Sequence, residues 1–445
     1  MSPDVARAGG AGAGAAGSAA LEAGLGWARA QDAADPLAAL RERFALPRAA
    51  DGRPLLYFCG HSLGLAPLAA RALIEAEIAD WERLGALGHE HPRSAWIGYA
   101  ERLQQPLAAL VGALEQEVVA MNSLSVNLHL LLASFYRPSG PRRAILIEAG
   151  AFSSDRHAVA SHIGWHGFDP ELELIELAPR AGEDLIRIED LEARIAVAGP
   201  RLALVLWPGV QYRTGQLFDL GRIARAAHAA DCCVGFDLAH AIGNVPLALH
   251  ADDADFAVWC NYKYLNAGPG AIGGAFVHQR HLQHGELPQL RGWWGHDPGT
   301  RFEMSPTFTP APGAAAWAVS NPPVFSAAPL RASLPLFAEA GIPALRRKSV
   351  ALTAYMASLV SELAGPRVAI VTPADPAQRG CQLSLRIANA GAHGRELYQG
   401  LAVRGVVCDW REPDIIRVAP VPLYNSFEDV LRGVCTLCEL LAPQR

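Results

Sequence analysis

Lys263 lies in Asn261-Tyr262-Lys263-Tyr264, at the end of an apolar run and just ahead of the glycine-rich stretch LNAGPG (265–270). Such surroundings do not suit a solvated surface charge. An amine among apolar groups has its charged form disfavoured, so it can serve as nucleophile and base. Earlier in the chain, Gly235-Phe236-Asp237-Leu238-Ala239-His240 puts an acid directly at the end of another apolar run, with a histidine three residues on. A strand-end Asp often does no more than cap a helix, and the Lys–Asp spacing alone is weakly specific. Together the two meet the needs of pyridoxal 5'-phosphate. That cofactor takes a lysine as its Schiff base and an anion to keep its ring nitrogen protonated.

Two more segments fit the same cofactor. Its phosphate needs donors of the kind found at helix N-termini. Asn122-Ser123-Leu124-Ser125-Val126-Asn127 carries hydroxyl residues into an apolar helical pattern, although either serine would also serve as a plain N-cap. The flat ring needs an apolar cover. Ala151-Phe152-Ser153-Ser154-Asp155 offers an aromatic just past a third apolar run, where Phe152 could equally be core.

The elements that must position these residues are short apolar runs at 144–147, 202–207, 234–236, 256–259 and 271–277. Helical patterns separate them. One spans 219–231, with Leu220, Ile223, Ala224 and Ala227 on one face behind an Asp219 N-cap. Runs of this kind alternating with amphipathic helices predict an α/β fold with a mainly parallel sheet covered on both faces. In such sheets ligands bind outside the carboxyl ends of the strands. Residues 1–30, rich in Ala and Gly, read as a flexible tail. Residues 31–112 read as an N-terminal arm that includes the segment GHEHPR (88–93). Residues 113–326 form a large domain ending in a Pro/Gly/Trp-rich connector, and 327–445 form a smaller α+β domain with runs at 368–371, 383–387, 406–408 and 415–418.

With 51% hydrophobic and 18% charged residues, the 445-residue chain has ample material for a core. A net charge of −6 gives no footprint for nucleic acid or an anionic membrane. No apolar run approaches the roughly 20 residues of a membrane span. The eight scattered cysteines suit a reducing cytosol, so a cytoplasmic location is expected. The lone C-x-x-C at Cys435 and Cys438 has no second pair or histidine cluster, so no metal site is expected.

Several co-linear blocks make the resemblance specific: FCGHSLGLAP (58–67), MNSLSVNLHLLL (121–132), VGFDLAHAIGN (234–244), WCNYKYLNAGPG (259–270), GWWGH (292–296), SNPP (320–323) and RVAPVPLYN (417–425). On these blocks the sequence resembles the kynureninase family of fold type I pyridoxal-phosphate enzymes, from about residue 57 to 425. The resemblance implies Lys263 as the cofactor lysine and α-carbon base. It implies Asp237 at the ring nitrogen, assisted by His240 and Asp155, and Phe152 stacked on the ring. Leu124, Ser125, Tyr262, Trp293 and Asn321 are implied at the phosphate, Tyr262 also as proton carrier, and Arg417 as a clamp for the substrate α-carboxylate. It further implies a homodimer with shared sites, and hydrolysis of L-kynurenine or its 3-hydroxy derivative to an anthranilate and L-alanine.

Some positions depart from the family pattern. His61 stands where many relatives have Asn, and Ser125 where they have Thr. Pro208, at a cofactor-facing position, cannot donate the hydrogen bond that a Ser often supplies there. In the family, a His in the Gly-His-Glu segment and an Asn in Ser-Asn-Pro-Pro go with the 3-hydroxy substrate. Here these are His89 and Asn321, with Ser62 in the same implied pocket. The alternatives are another fold type I enzyme, such as a cysteine desulfurase, or a non-catalytic protein that keeps the cofactor site.

Overall fold

In the computed structural model, residues 13–91, 95–282, 287–388 and 391–442 are described. Pro92 and Arg93 of the GHEHPR segment, and the first twelve residues of the expected tail, lie outside them. The chain divides into two units. The larger comprises 69–211 and 217–338; the smaller comprises 1–68, 212–216 and 339–445.

The larger unit is built on a seven-stranded sheet. Its strands are β1 (Val118–Ala120), β2 (Ala144–Glu148), β3 (Leu174–Leu177), β4 (Leu202–Pro208), β5 (Cys233–Asp237), β6 (Phe256–Cys260) and β7 (Gly273–Val277). The spatial order is β1-β7-β6-β5-β4-β2-β3. β3, β2, β4, β5 and β6 run parallel, β7 runs antiparallel to β6, and β1 antiparallel to β7. β2, β6 and β7 are buried at every position, as expected of strands covered on both faces. Glycines let large aromatics fit between strands. A Cβ on Gly235 would stand 2.1 Å from the Phe256 ring, and one on Gly274 would stand 2.4 Å from the Trp259 indole.

The helices of this unit include α1 (Leu68–Leu84), α2 (Leu124–Phe135), α3 (Ser153–Trp165), α4 (Leu220–Ala229) and α5 (Val324–Ala340). The Asp219 side chain caps α4 by accepting from Arg222 N, as the sequence predicts. Leu128, Leu131, Leu132 and Phe135 of α2 are buried in one cluster with Val258 and Ala275 of the sheet. The 291–326 connector has short 3₁₀ turns and sends Trp294, Ala314, Ala316 and Trp317 into that cluster, so it is part of the core as well as a loop.

The smaller unit holds an antiparallel sheet of β8 (Val368–Ile370), β9 (Leu383–Ile387), β10 (Asp409–Arg411) and β11 (Ile415–Val418), in the order β10-β11-β9-β8. Helices α6 (Ile342–Leu359) and α7 (Phe427–Leu440) pack on it. Two expectations need correction here. Residues 13–34 form a helix instead of continuing a flexible tail to 30. Alanine favours helix as well as low complexity, and Leu21, Leu25, Trp27 and Ala28 pack into the cluster that contains Leu431 and Met356. Asp32 then caps α7, accepting from Phe427 N at 2.7 Å and Glu428 N at 3.0 Å. Nor is the arm at 31–112 a single piece. Residues up to 68 join the smaller unit because Leu56–Tyr57 pairs in parallel with Val406–Val407, whereas 69–112 belong to the larger one.

Candidate active site

Parallel strands bring their carboxyl ends to one edge, and four chemical groups meet there in the larger unit. Glu148 closes β2, Asp237 closes β5 opposite Pro208 of β4, and Lys263 follows β6. Asp155 comes from the first turn of α3. The Asp237 carboxylate fixes its own turn by accepting from Ala239 N at 2.7 Å. His240, one residue further on, is buried, with its ring 6.4 Å from that of Tyr264.

The electrostatics of this edge are unusual. Burial, then the neighbouring Asp237 charge, pushes Asp155 well above the ordinary carboxylate range; Lys263 acts in the opposite direction. Burial likewise raises Glu148 to about 8, against a hydrogen bond from Gln211 Nε2 at 3.3 Å. Asp155 Oδ1 is buried with no hydrogen-bond partner among the described residues. Three buried acids beside one lysine form a site short of positive charge and of donors. A protonated ring nitrogen would supply both, so these residues fit a pyridinium cofactor.

The other parts of the edge agree. Lys263 Nζ lies 5.8 Å from the centroid of the Phe152 ring and 5.8 Å from that of Tyr262. Phe152 is 42% exposed, which leaves an apolar face open beside the lysine. Burial, with the adjacent Cys260, raises the Tyr262 phenol, so it is protonated at neutral pH. Neither α2, entered at Ser123, nor α3, entered at Phe152, has a side-chain cap. Ser125 Oγ and Ser154 Oγ, from the first turns of these helices, lie 2.7 Å apart. Two uncapped helix N-termini therefore converge, as an anion-binding site requires. Leu124 opens α2 beside them and is half-buried. A Cβ on Gly273 would press on Leu124 N at 3.1 Å, so β7 and this turn are in close contact.

His89, Trp293 and Asn321 fall elsewhere in the same unit. They line one cavity of about 580 Å³ with Trp96, Ile97 and Phe302, and Lys263 is not part of its wall. Trp293 and Phe302 are 44% and 58% exposed. Arg417 and Ser62 belong to the smaller unit. Ser62 is half-buried. Arg417 is only 1% exposed; its fork meets Asp409 at 2.7 and 3.2 Å, and its Nη1 donates to Tyr212 O at 2.6 Å. It is thus a buried, braced cation and not a surface ion pair.

Glu148, Ser154 and Gln211 were not among the sequence candidates. Glu148 had a readable signal, an acid closing the apolar run AILIE at a strand's carboxyl end. Ser154 and Gln211 had none, since nothing local marks them.

A seven-stranded, mainly parallel sheet with a lysine and an acid at adjoining strand ends defines a fold type I pyridoxal-phosphate enzyme. Among solved structures, the cysteine desulfurase CsdA of Escherichia coli has TM-score 0.73 and 20% identity, over 91% of this chain and 98% of that one. The cystine C–S lyase C-DES, in complex with cysteine persulfide, has TM-score 0.73 and 19% identity, over 86% and 97%. These likenesses are of fold. In sequence, a kynureninase of Xanthomonas campestris is 58% identical over 403 residues, 91% of this chain and 95% of its own length. One of Xanthomonas oryzae is 56% identical over the same shares. Residues 345–437 match the kynureninase C-terminal domain. The chain belongs to the kynureninase family. It is a pyridoxal-phosphate-dependent hydrolase of carbon–carbon bonds, which sets aside both a desulfurase and a non-catalytic binder.

Proposed function

We propose that the chain hydrolyses the Cβ–Cγ bond of 3-hydroxy-L-kynurenine in preference to L-kynurenine, giving the corresponding anthranilate and L-alanine. The cofactor, when bound, supplies an electron sink for charge developed at the substrate's α-carbon. Lys263 would anchor it and would also serve as the base for the α-proton. Asp237 would pair with the ring nitrogen, assisted by Asp155 and His240, and Phe152 and Pro208 would line the ring. Leu124 and Ser125 donate to the phosphate from the α2 terminus, joined by Tyr262. Tyr262, protonated at neutral pH, carries a proton to the carbon released by cleavage. Arg417, braced by Asp409, binds the substrate carboxylate, and Ser62 joins the aryl pocket.

The observation that carries the substrate preference is the shared cavity of His89 and Asn321. Both can hydrogen-bond a phenolic hydroxyl, and a polar site left unpaired discriminates against the analogue lacking it. The likeness to the family implies a homodimer as the working unit, and the exposed Trp293 and Phe302 at that cavity are in keeping with it. Part of the cofactor and substrate shell of one subunit is then supplied by the other. The eight free thiols are in keeping with a cytoplasmic enzyme, and among the described residues no helix is long and apolar enough to cross a membrane.

Specificity constants for the two substrates test the preference, and a higher value for L-kynurenine would overturn it. The anchor is tested by the visible absorbance of the bound cofactor. Lys263→Ala should abolish the band given by wild type; its survival in the variant would remove Lys263 from the role.

A further inference from the structure

His89 ends the 3₁₀ turn Gly85–His89 and is exposed, so nothing in its own element fixes its ring. What stands against it is Trp96, edge to face, with ring centroids 5.5 Å apart at 87°. The same indole packs on Gly88, where a Cβ would lie 2.5 Å from the ring; any side chain there would push the turn and the indole apart.

Trp96 in turn is tied to a buried charge. Its indole N–H donates to Glu77 Oε2 at 2.9 Å. Glu77 lies on α1, and its side chain is fully buried. Its other oxygen accepts from the Tyr99 hydroxyl at 3.2 Å and faces Arg331 Nη1 of α5 at 3.5 Å. The Arg331 guanidinium also lies over the Tyr99 ring, 4.8 Å from its centroid. A buried carboxylate is tolerated only when paired and hydrogen-bonded. This one ties together two helices and the turn that carries Trp96. It lies outside the cavity wall, whereas Trp96 and His89 are in it.

We propose that Glu77 is a positioning residue for aryl-ring recognition: it fixes Trp96, and Trp96 sets the orientation in which His89 meets the substrate's ring substituent. This rests on the reading of His89 as a residue that meets the aryl ring. Without Glu77 the indole loses its anchor, His89 samples several orientations, and the hydrogen bond to a ring hydroxyl weakens while the chemistry at Lys263 is untouched.

The test uses the cofactor-loaded enzyme and both substrates. Glu77→Gln keeps the shape but removes the charge. Trp96→Phe keeps an aromatic ring but removes the N–H, and guards against failure of the first variant to fold. Each should lower the ratio of kcat/KM for 3-hydroxy-L-kynurenine to that for L-kynurenine about five- to tenfold, the effect of one hydrogen bond of roughly 1 kcal/mol. The change should come through KM for the hydroxylated substrate, and kcat for L-kynurenine in Glu77→Gln should stay near wild type. The double variant should lose no more than Trp96→Phe alone, since that change already removes the N–H that Glu77 holds. His89→Phe separates the two ideas. If it lowers the ratio while Glu77→Gln and Trp96→Phe, both folded, leave it unchanged, Glu77 has no positioning role. If His89→Phe itself leaves the ratio unchanged, the reading of the aryl pocket is what fails.

Discussion

Replacing Glu148 by Gln should make the cofactor-free protein less sensitive to alkaline pH. Burial raises this carboxyl from 4.5 to about 8, with the Asp237 charge adding to the effect. A carboxyl raised in the folded state holds its proton more tightly folded than unfolded. The stability it contributes is therefore full below about 4.5 and is lost as pH rises through 8. At about 1.4 kcal/mol per tenfold in proton affinity, the whole loss is roughly 5 kcal/mol. Gln cannot ionise, so its stability should nearly match wild type at pH 5 and exceed it by several kcal/mol at pH 9. Asp155 is raised chiefly by burial and by Asp237, which the variant leaves in place, so most of its contribution cancels in the comparison. Denaturant unfolding of the two apoproteins at each pH from 5 to 9 measures the gap directly. Parallel curves, with no widening gap, would show that Glu148 is already ionised and that the inner edge of the site is wetter than its burial implies.

Two further predictions concern the smaller unit. Arg417→Gln should cost about 1–3 kcal/mol of its stability, because the buried hydrogen bonds to Tyr212 O and Asp409 are lost while Arg411 still pairs with Asp409; loss of substrate binding with unaltered unfolding would instead mark Arg417 as purely a ligand contact. Asp32→Ala removes the acceptor for two backbone N–H groups at the start of α7. It should cost about 1 kcal/mol, visible as a lower midpoint in thermal or denaturant unfolding.

Five of the seven strands of the larger sheet were legible as short apolar runs, whereas β1 and β3 were not; the candidate site was legible because polar groups follow those runs at their carboxyl ends. Lys263, Asp237 and Phe152 could be picked out for that reason. Their surroundings were less visible. The Ser125–Ser154 contact joins two helix starts, and no periodicity reports that pairing. The division of the N-terminal arm could not be read either. It depends on Leu56–Tyr57 finding Val406–Val407, a pairing of two short apolar stretches far apart in sequence. The helix at 13–34 is not legible in the sequence because an Ala/Gly-rich stretch suits either a helix or a loose tail until a packing partner is known. Trp27 against Tyr355 and Phe427 settles that choice, with ring centroids at 4.6 and 5.8 Å.

That helix also sets an order of events during synthesis. Its docking surface includes α7, and 395 residues separate Asp32 from the first N–H group it caps. At roughly 5–20 residues per second, the helix waits on the order of 20–80 s for its partner to leave the ribosome. Residues 69–211 and 217–338, with both strand ends of the candidate site, emerge in between and can close their own core first. The nascent chain thus carries a greasy, unpartnered helix ahead of a folded body, which is the stage at which a chaperone would have most to hold.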